Sequence, residues 1–406
     1  MNPNDVLKYI DSSYVQSLSQ QLVRIPTESP GENERSKDRT PIIELIHEHL
    51  EALGLKPGLL TVIKERPNII AEIAGSAEGP TLLLYSHSDT IEVTEDHREI
   101  WICDPFGGEV RDGKLHGIGS ADTKGGLASV VGAVKAIIES GIKFRGKIIL
   151  LFSTAGEGGA PGGHVTLLKH NLMPKADGAI LADSSDLKIV RTFKGRVWFE
   201  FIVHGKSAHA SDPKLGINAV DKMYDVVRAL KKLKFTGKGE SDLGDATFTV
   251  TGIEAINPIT TVPAKCRLTV DMRLIPGVTP EKVAKKIEGT LKRLMKKDNE
   301  LNVSMKTLPN SIKKATLTPM ENSIVQATAK AMEDVVGEAE FLPGTMSTGA
   351  SYFLEAGIPC VFFGPGAITN AHMPNEYVDL PQIEKATKIY ALAALNFLGI
   401  ADRTVR

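Results

Sequence analysis

Glu157 is the single carboxylate in a glycine-rich run, Ser153-Thr154-Ala155-Gly156-Glu157-Gly158-Gly159-Ala160-Pro161-Gly162-Gly163, which directly follows the apolar stretch Lys147-Ile148-Ile149-Leu150-Leu151-Phe152. This order puts an acid where a buried strand empties into a loop, the place at which open α/β sheets hold ligands and metals. There it can serve as a metal ligand or as a general base. Other groups stand in comparable places. His87-Ser88-Asp89 follows the apolar run 81–85, Asp183 lies just past Ala179-Ile180-Leu181, and His372 follows a Gly364-Pro365-Gly366 turn. His87 and Asp89 project to one side of an extended chain, so one can bind metal while the other holds the imidazole by a hydrogen bond. Asp122 precedes a helical pattern and reads either as an N-cap or as a carboxylate whose two oxygens bridge two cations. His87, Asp122, Glu157, Asp183 and His372 make two imidazoles and three carboxylates, a donor set that suits zinc or a neighbouring divalent ion. With one bridging carboxylate, such a set holds two ions roughly 3.5–4 Å apart.

The elements that must position these groups are legible from periodicity. Short apolar runs at 68–73, 81–85, 147–152, 177–181 and 359–363 read as buried strands, and apolar residues at helical spacing mark helices over 38–53, 123–140, 322–336 and 381–398. Strands alternating with helices predict an α/β domain with a mostly parallel central sheet. Between them the character changes: 197–203, 246–251 and 265–273 are β-rich, while 217–233 and 280–297 are amphipathic helices. A catalytic, metal-binding domain over 1–191 and 310–406 is therefore expected to be interrupted by a smaller α+β domain over 192–309.

With 406 residues the chain exceeds the roughly 250–300 at which a single core stops growing, in keeping with two domains. Its formal net charge of -1 and lack of a basic stripe argue against a nucleic-acid partner. The glycines of 117–126 do not make a phosphate loop, because the GK[ST] ending is absent. There is no secretory signal at residues 1–8 and no apolar run of about 18 residues, so no membrane association and a cytoplasmic location are expected. Cys103, Cys266 and Cys360 are widely spaced, which fits neither a disulfide framework nor a thiolate metal site.

The ordered set His87-x-Asp89, Gly117-x-Gly119-x-x-Asp122-x-Lys124-Gly125-Gly126, Glu157, Asp183, Gly205-x-x-x-His209 and Gly364-Pro365-Gly366 before His372 spans nearly the whole chain. It resembles the dinuclear-zinc family of acetylornithine deacetylase, succinyl-diaminopimelate desuccinylase, aminoacylase and glutamate carboxypeptidase. The resemblance implies two zinc ions, with cobalt or manganese as substitutes, in a zinc-peptidase-like catalytic domain that carries a lid and dimerisation domain. His87, Asp122 and Asp183 would hold one ion; Asp122, Glu157 and His372 would hold the other. Asp89 would act beside His87, and His209 would reach the partner subunit's site to polarise the scissile carbonyl. Arg273 would pair with a substrate carboxylate, and Thr260 stands where the family usually has an asparagine. The implied reaction is hydrolysis of an amide next to a free carboxylate, in a dipeptide or an N-acyl amino acid, by a homodimer joined through the lid.

One departure bears on that chemistry. The family carries two consecutive acids at the central loop, a general base followed by a metal ligand, and this chain has one. If the glycine five residues after the ligand fixes the register, Gly162 pairs with Glu157 as ligand, and Gly156 falls on the base. The other register makes Glu157 the base and Gly158 the lost ligand. A positioned base is worth about 10²–10⁴ in rate. A catalytically impaired relative that binds a metabolite or a partner is therefore the alternative, and restoring an acid at position 156 is expected to raise hydrolysis.

Overall fold

The computed structural model describes residues 2–29, 39–64, 66–157, 162–237, 243–309 and 311–401. Gly158, the alternative ligand position, and Asn310, the expected first residue of the second catalytic segment, lie outside the described residues. The chain divides into two compact units, Met1–Arg191 with Thr318–Leu342 and Tyr352–Arg406, and Thr192–Leu317 with Pro343–Ser351.

In the first unit six strands form a sheet in the order Gly58–Leu60, Asn68–Ala74, Arg145–Ser153, Ala77–His87, Gly178–Ala182 and Cys360–Phe363. The last four are mutually parallel, and their final residues are buried without interruption, as the apolar runs require of a sheet covered on both faces. The first two strands pair antiparallel at one edge, because the loop between them is too short for the crossover that a parallel pair needs. Since the parallel strands run one way, His87, Ser153 and Ala182 all finish at the same edge, with His87 directly opposite Ser153.

The helix Gly125–Ser140 is buried almost all round and stops at Gly141, whose φ of 65° suits a residue without Cβ. It packs with Leu380–Leu398, which also packs on Ser323–Val336. A further helix, Ser12–Arg24, was not anticipated from the sequence; Asp11 caps it by accepting the Tyr14 N–H, and Val15, Leu18, Leu22 and Val23 bury its inner face.

In the second unit the strands Thr247–Glu254, Lys265–Leu274, Gly195–His204 and Asn302–Thr307 form an antiparallel sheet in that order. Strict alternation along Lys265–Leu274 sends Cys266, Leu268, Val270, Met272 and Leu274 inward. There they meet Met223 and Val226 of Ala219–Leu230 and Val283 and Ile287 of Pro280–Lys297. No helix among the described residues is long and apolar enough to cross a membrane.

Gly132 marks a close helix contact, because a Cβ there would stand 2.3 Å from Val15 Cγ2. Alanine is the better helix former by up to about 1 kcal/mol, but overpacking against a stiff β-branched neighbour costs about 1–3 kcal/mol. Gly132→Ala is therefore expected to lower the denaturant midpoint; a higher midpoint would show that the Ser12–Arg24 helix gives way freely.

Candidate metal centre

The edge where the parallel strands end gathers the five proposed ligands. The ligand atoms of His87, Asp122 and Asp183 lie within 4.8 Å of one another, and so do those of Asp122, Glu157 and His372. Asp122 belongs to both groups. Its Oδ1 faces His87 Nε2 at 3.7 Å and its Oδ2 faces His372 Nε2 at 3.2 Å, while Glu157 Oε1 lies 3.1 Å from the same His372 nitrogen. Asp122 is not the N-cap of the helix that follows, which takes Lys124 as its cap residue. Asp122 Oδ1 is buried and has no hydrogen-bond partner among the described residues. A buried carboxylate oxygen left so is costly unless a cation faces it. The residues present therefore fit a divalent metal pair.

The electrostatics agree. Burial, with the Asp122 charge adding to it, pushes Asp183 up to about 7 and raises Glu157 as well. Hydrogen bonds to Asp122 and Glu157 lift His372 to about 11. Burial disfavours a charged His87, yet the hydrogen bond and charge of Asp89, helped by Glu157 and Asp122, hold its pKa well above the ordinary value. Three carboxylates in so small a space call for positive charge, and without cations they draw it from protons.

Asp89 is fully buried and touches His87 Nδ1 at 3.3 Å through Oδ1. The same carboxylate accepts the Gly156 N–H at 2.6 Å and the Glu157 N–H at 3.0 Å, so it orients the imidazole and pins the Glu157 loop at once. Burial would raise its pKa, but the His87 hydrogen bond and charge and these two N–H groups bring it down to about 2. Gly156 explains itself sterically: a Cβ there would lie 2.3 Å from Cγ and 2.5 Å from Cβ of His87. The loop backbone rests on the imidazole, and no side chain fits at position 156 without displacing a proposed ligand. Any side chain restored at this position therefore meets a steric cost against the His87 ring.

The other proposed site residues lie in the second unit. His209 is exposed; its Nδ1 accepts the Ser211 N–H at 3.2 Å and meets Ser211 Oγ at 2.7 Å, which leaves the ring hydrogen on Nε2. The His209 backbone bridges Thr261, and the Thr260 carbonyl accepts the Ala210 N–H at 2.8 Å, so His209 and Thr260 share one corner. Arg273 is elsewhere. Its guanidinium pairs with Asp271 at 2.8 and 3.2 Å, and it lies eight residues along the strand from Lys265, about 27 Å at 3.4 Å per residue. Sequence reasoning did not single out Asn375 and Glu376, although they follow His372 closely. Glu376 is buried beneath Asp122, and burial, with the Asp122 charge, pushes it up to about 8.

A mostly parallel sheet with a two-lobed cluster of carboxylates and imidazoles at its strand ends defines a metallohydrolase. The chain belongs to peptidase family M20/M25/M40, whose family model matches residues 83–396, and it is a metal-dependent hydrolase of amide bonds. It is 28 % identical over 393 residues to acetylornithine deacetylase of Buchnera aphidicola subsp. Schizaphis graminum, covering 94 % of this chain and 97 % of that one. It is 30 % identical over 402 residues to N-formyl-4-amino-5-aminomethyl-2-methylpyrimidine deformylase of Bacillus subtilis, covering 92 % of each. Among solved structures, the M20 family metallo-carboxypeptidase Sso-CP2 from Sulfolobus solfataricus superposes with a TM-score of 0.72 at 21 % identity, over 95 % of this chain and 98 % of that one.

Gly156→Glu is expected to lower turnover rather than raise it, and to destabilise the fold by about 1–3 kcal/mol as the His87 ring or the loop gives way. Turnover above that of the unmodified chain, with its metal content unchanged, would show that the loop can open far enough to seat the acid.

Proposed function

We propose that the protein is a dinuclear zinc amidohydrolase that cleaves an amide bond next to a free carboxylate in an N-acyl amino acid or a dipeptide. The observation that carries this reading is Asp122, whose two oxygens face His87 on one side and His372 on the other. Imidazole nitrogens and carboxylate oxygens suit zinc, with cobalt or manganese as substitutes. Bound there, two such ions would polarise the scissile carbonyl and make water nucleophilic near neutral pH. His87, Asp122 and Asp183 would hold one ion and Asp122, Glu157 and His372 the other, with Asp89 fixing the His87 ring. Glu157 would act as a ligand rather than the base, a role favoured by its position against His372. With glycine at 156 the loop offers no side chain to receive the proton of the attacking water, so turnover would sit about 10²–10⁴ below that of a site with a positioned base. The relatives named above are catalysts, which favours a hydrolase over a metabolite-binding or interaction protein. Cys103, Cys266 and Cys360 form no disulfide among the described residues, which supports a cytoplasmic place of action.

In the same proposal Arg273 would bind the substrate carboxylate through its planar fork, and His209, with its hydrogen on Nε2, would donate to the carbonyl oxygen beside Thr260. A site that used both Arg273 and His209 of one chain would have to span the length of the Lys265–Leu274 strand. Two chains remove the difficulty, with His209 coming from the partner, and this supports a homodimer. The second unit also exposes Leu215, Val220, Tyr224, Ile253, Ile256 and Ile259, an apolar set that suits an interface along the Ala219–Leu230 helix and the Thr247–Glu254 edge strand.

Zinc-loaded protein is expected to hydrolyse members of an N-acyl amino acid and dipeptide panel, with kcat/KM falling at least about 10-fold when the substrate carboxylate is amidated. No turnover beyond that of a His87→Ala control would sink the hydrolase reading. Mixing His87→Ala chains with His209→Ala chains, each inactive alone, is expected to restore roughly one quarter of the activity, because half of the dimers then hold one intact composite site. Absence of any recovery, or a monomer in sedimentation at micromolar concentration, would contradict the shared site.

A further inference from the structure

The segment that follows His372 does more than close a turn. His372 and Asn375 both adopt left-handed backbone conformations, with φ of 63° and 64°, so the chain doubles back between the ligand and Glu376. Asn375 then makes a two-sided clasp: its Oδ1 accepts the Ile102 N–H at 2.7 Å, and its Nδ2 donates to the Ile100 carbonyl at 3.1 Å. Glu376, only 1 % exposed, turns the other way. Its Oε1 accepts the N–H groups of Ala121 at 2.9 Å and of Asp122 itself at 3.1 Å, and its backbone carbonyl accepts the Gly117 N–H at 3.0 Å. Beyond it, Tyr377–Asp379 pairs with Lys114–His116 and fixes the far end of the segment.

A carboxylate buried directly under another carboxylate is unfavourable, and this one is retained against the charge of Asp122. What it gains is the backbone of the residue that belongs to both ligand groups. By taking the Asp122 N–H, Glu376 sets the position from which the Asp122 side chain leaves the main chain. By clasping residues 100–102, Asn375 sets the position of the loop that carries His372.

We propose that Glu376 and Asn375 are positioning residues for the metal pair, Glu376 acting through Asp122 on both ions and Asn375 acting through His372 on one. This rests on the dinuclear reading above. The two residues predict different signatures, which a general loss of stability does not produce. Removal of the acceptor at 376 loosens both binding steps, whereas removal of the clasp at 375 loosens only the step that uses His372.

The test is a zinc titration of the full-length apo-protein against a competing fluorescent chelator, with circular dichroism to verify folding. The unmodified chain is expected to take up two ions. Glu376→Ala is expected to weaken both steps about 10–100-fold, the usual cost of losing an outer partner of a ligand. Glu376→Gln, which keeps an oxygen to accept both N–H groups, is expected to stay close to the parent. Asn375→Ala is expected to weaken one step and leave the other. Folded Glu376→Ala protein that binds both ions with parental affinity would overturn the proposal. If Glu376→Ala does not fold, Asn375→Ala decides in its place, and parental affinity at both steps in that variant is equally fatal. An unmodified chain that takes up no zinc would instead overturn the dinuclear reading itself.

Discussion

Three carboxylates and two imidazoles share a pocket in which the ligand atoms of each group lie within 4.8 Å. At such a separation and an effective dielectric constant of about 20, ionised Asp122 repels ionised Asp183 and ionised Glu157 by about 3–4 kcal/mol each. The rest of the first unit is arranged around that cost. Parallel strands deliver His87, Asp183 and the Glu157 loop to one edge, and the buried helix Gly125–Ser140 fixes the segment that bears Asp122. Cations turn the repulsion into attraction, so the same crowding that strains the metal-free site gives the metal-bound one its affinity. The raised pKa of Asp183 and the strongly raised pKa of His372 are the mark of that demand for positive charge.

Asp89 shows how closely the parts of the site depend on one another. It is at once the hydrogen-bond partner of the His87 ring and the acceptor for two successive N–H groups of the Glu157 loop. The loop is thereby drawn onto the imidazole, and the close approach leaves room at 156 for hydrogen alone. Gly156 is thus a packing residue, the point at which the loop backbone lies against the His87 ring.

The second unit poses a different geometrical constraint. Its long central strands hold His209 and Thr260 at one end and Arg273 at the other, and an antiparallel sheet is too stiff to bring those ends together. The same unit exposes apolar residues along the Ala219–Leu230 helix and the Thr247–Glu254 edge strand.

Much of this was legible in the sequence, because local rules govern it. Burial on both faces forces continuous apolar runs, so the strands 147–152 and 177–181 were visible together with the acids that follow them. Amphipathic spacing gave Pro280–Lys297 at both ends. The donor types and their order also pointed to a dinuclear metal site. Other features depend on residues distant in sequence and were out of reach. The helix Ser12–Arg24 is not one of these, since Asp11 as a cap before apolar residues at 15, 18, 22 and 23 is a local signal. Nothing in the glycine run tells that position 156 is closed, since the atoms that close it belong to His87. Glu376 reads as one more acid near a chain turn until the fold places it under Asp122, 254 residues away. Sequence determined which groups could bind metal, because side-chain chemistry is carried by each residue alone. Only the tertiary structure decided which groups meet, which are held in place, and which position has no room for the acid expected there, because distance and steric exclusion are properties of the folded chain.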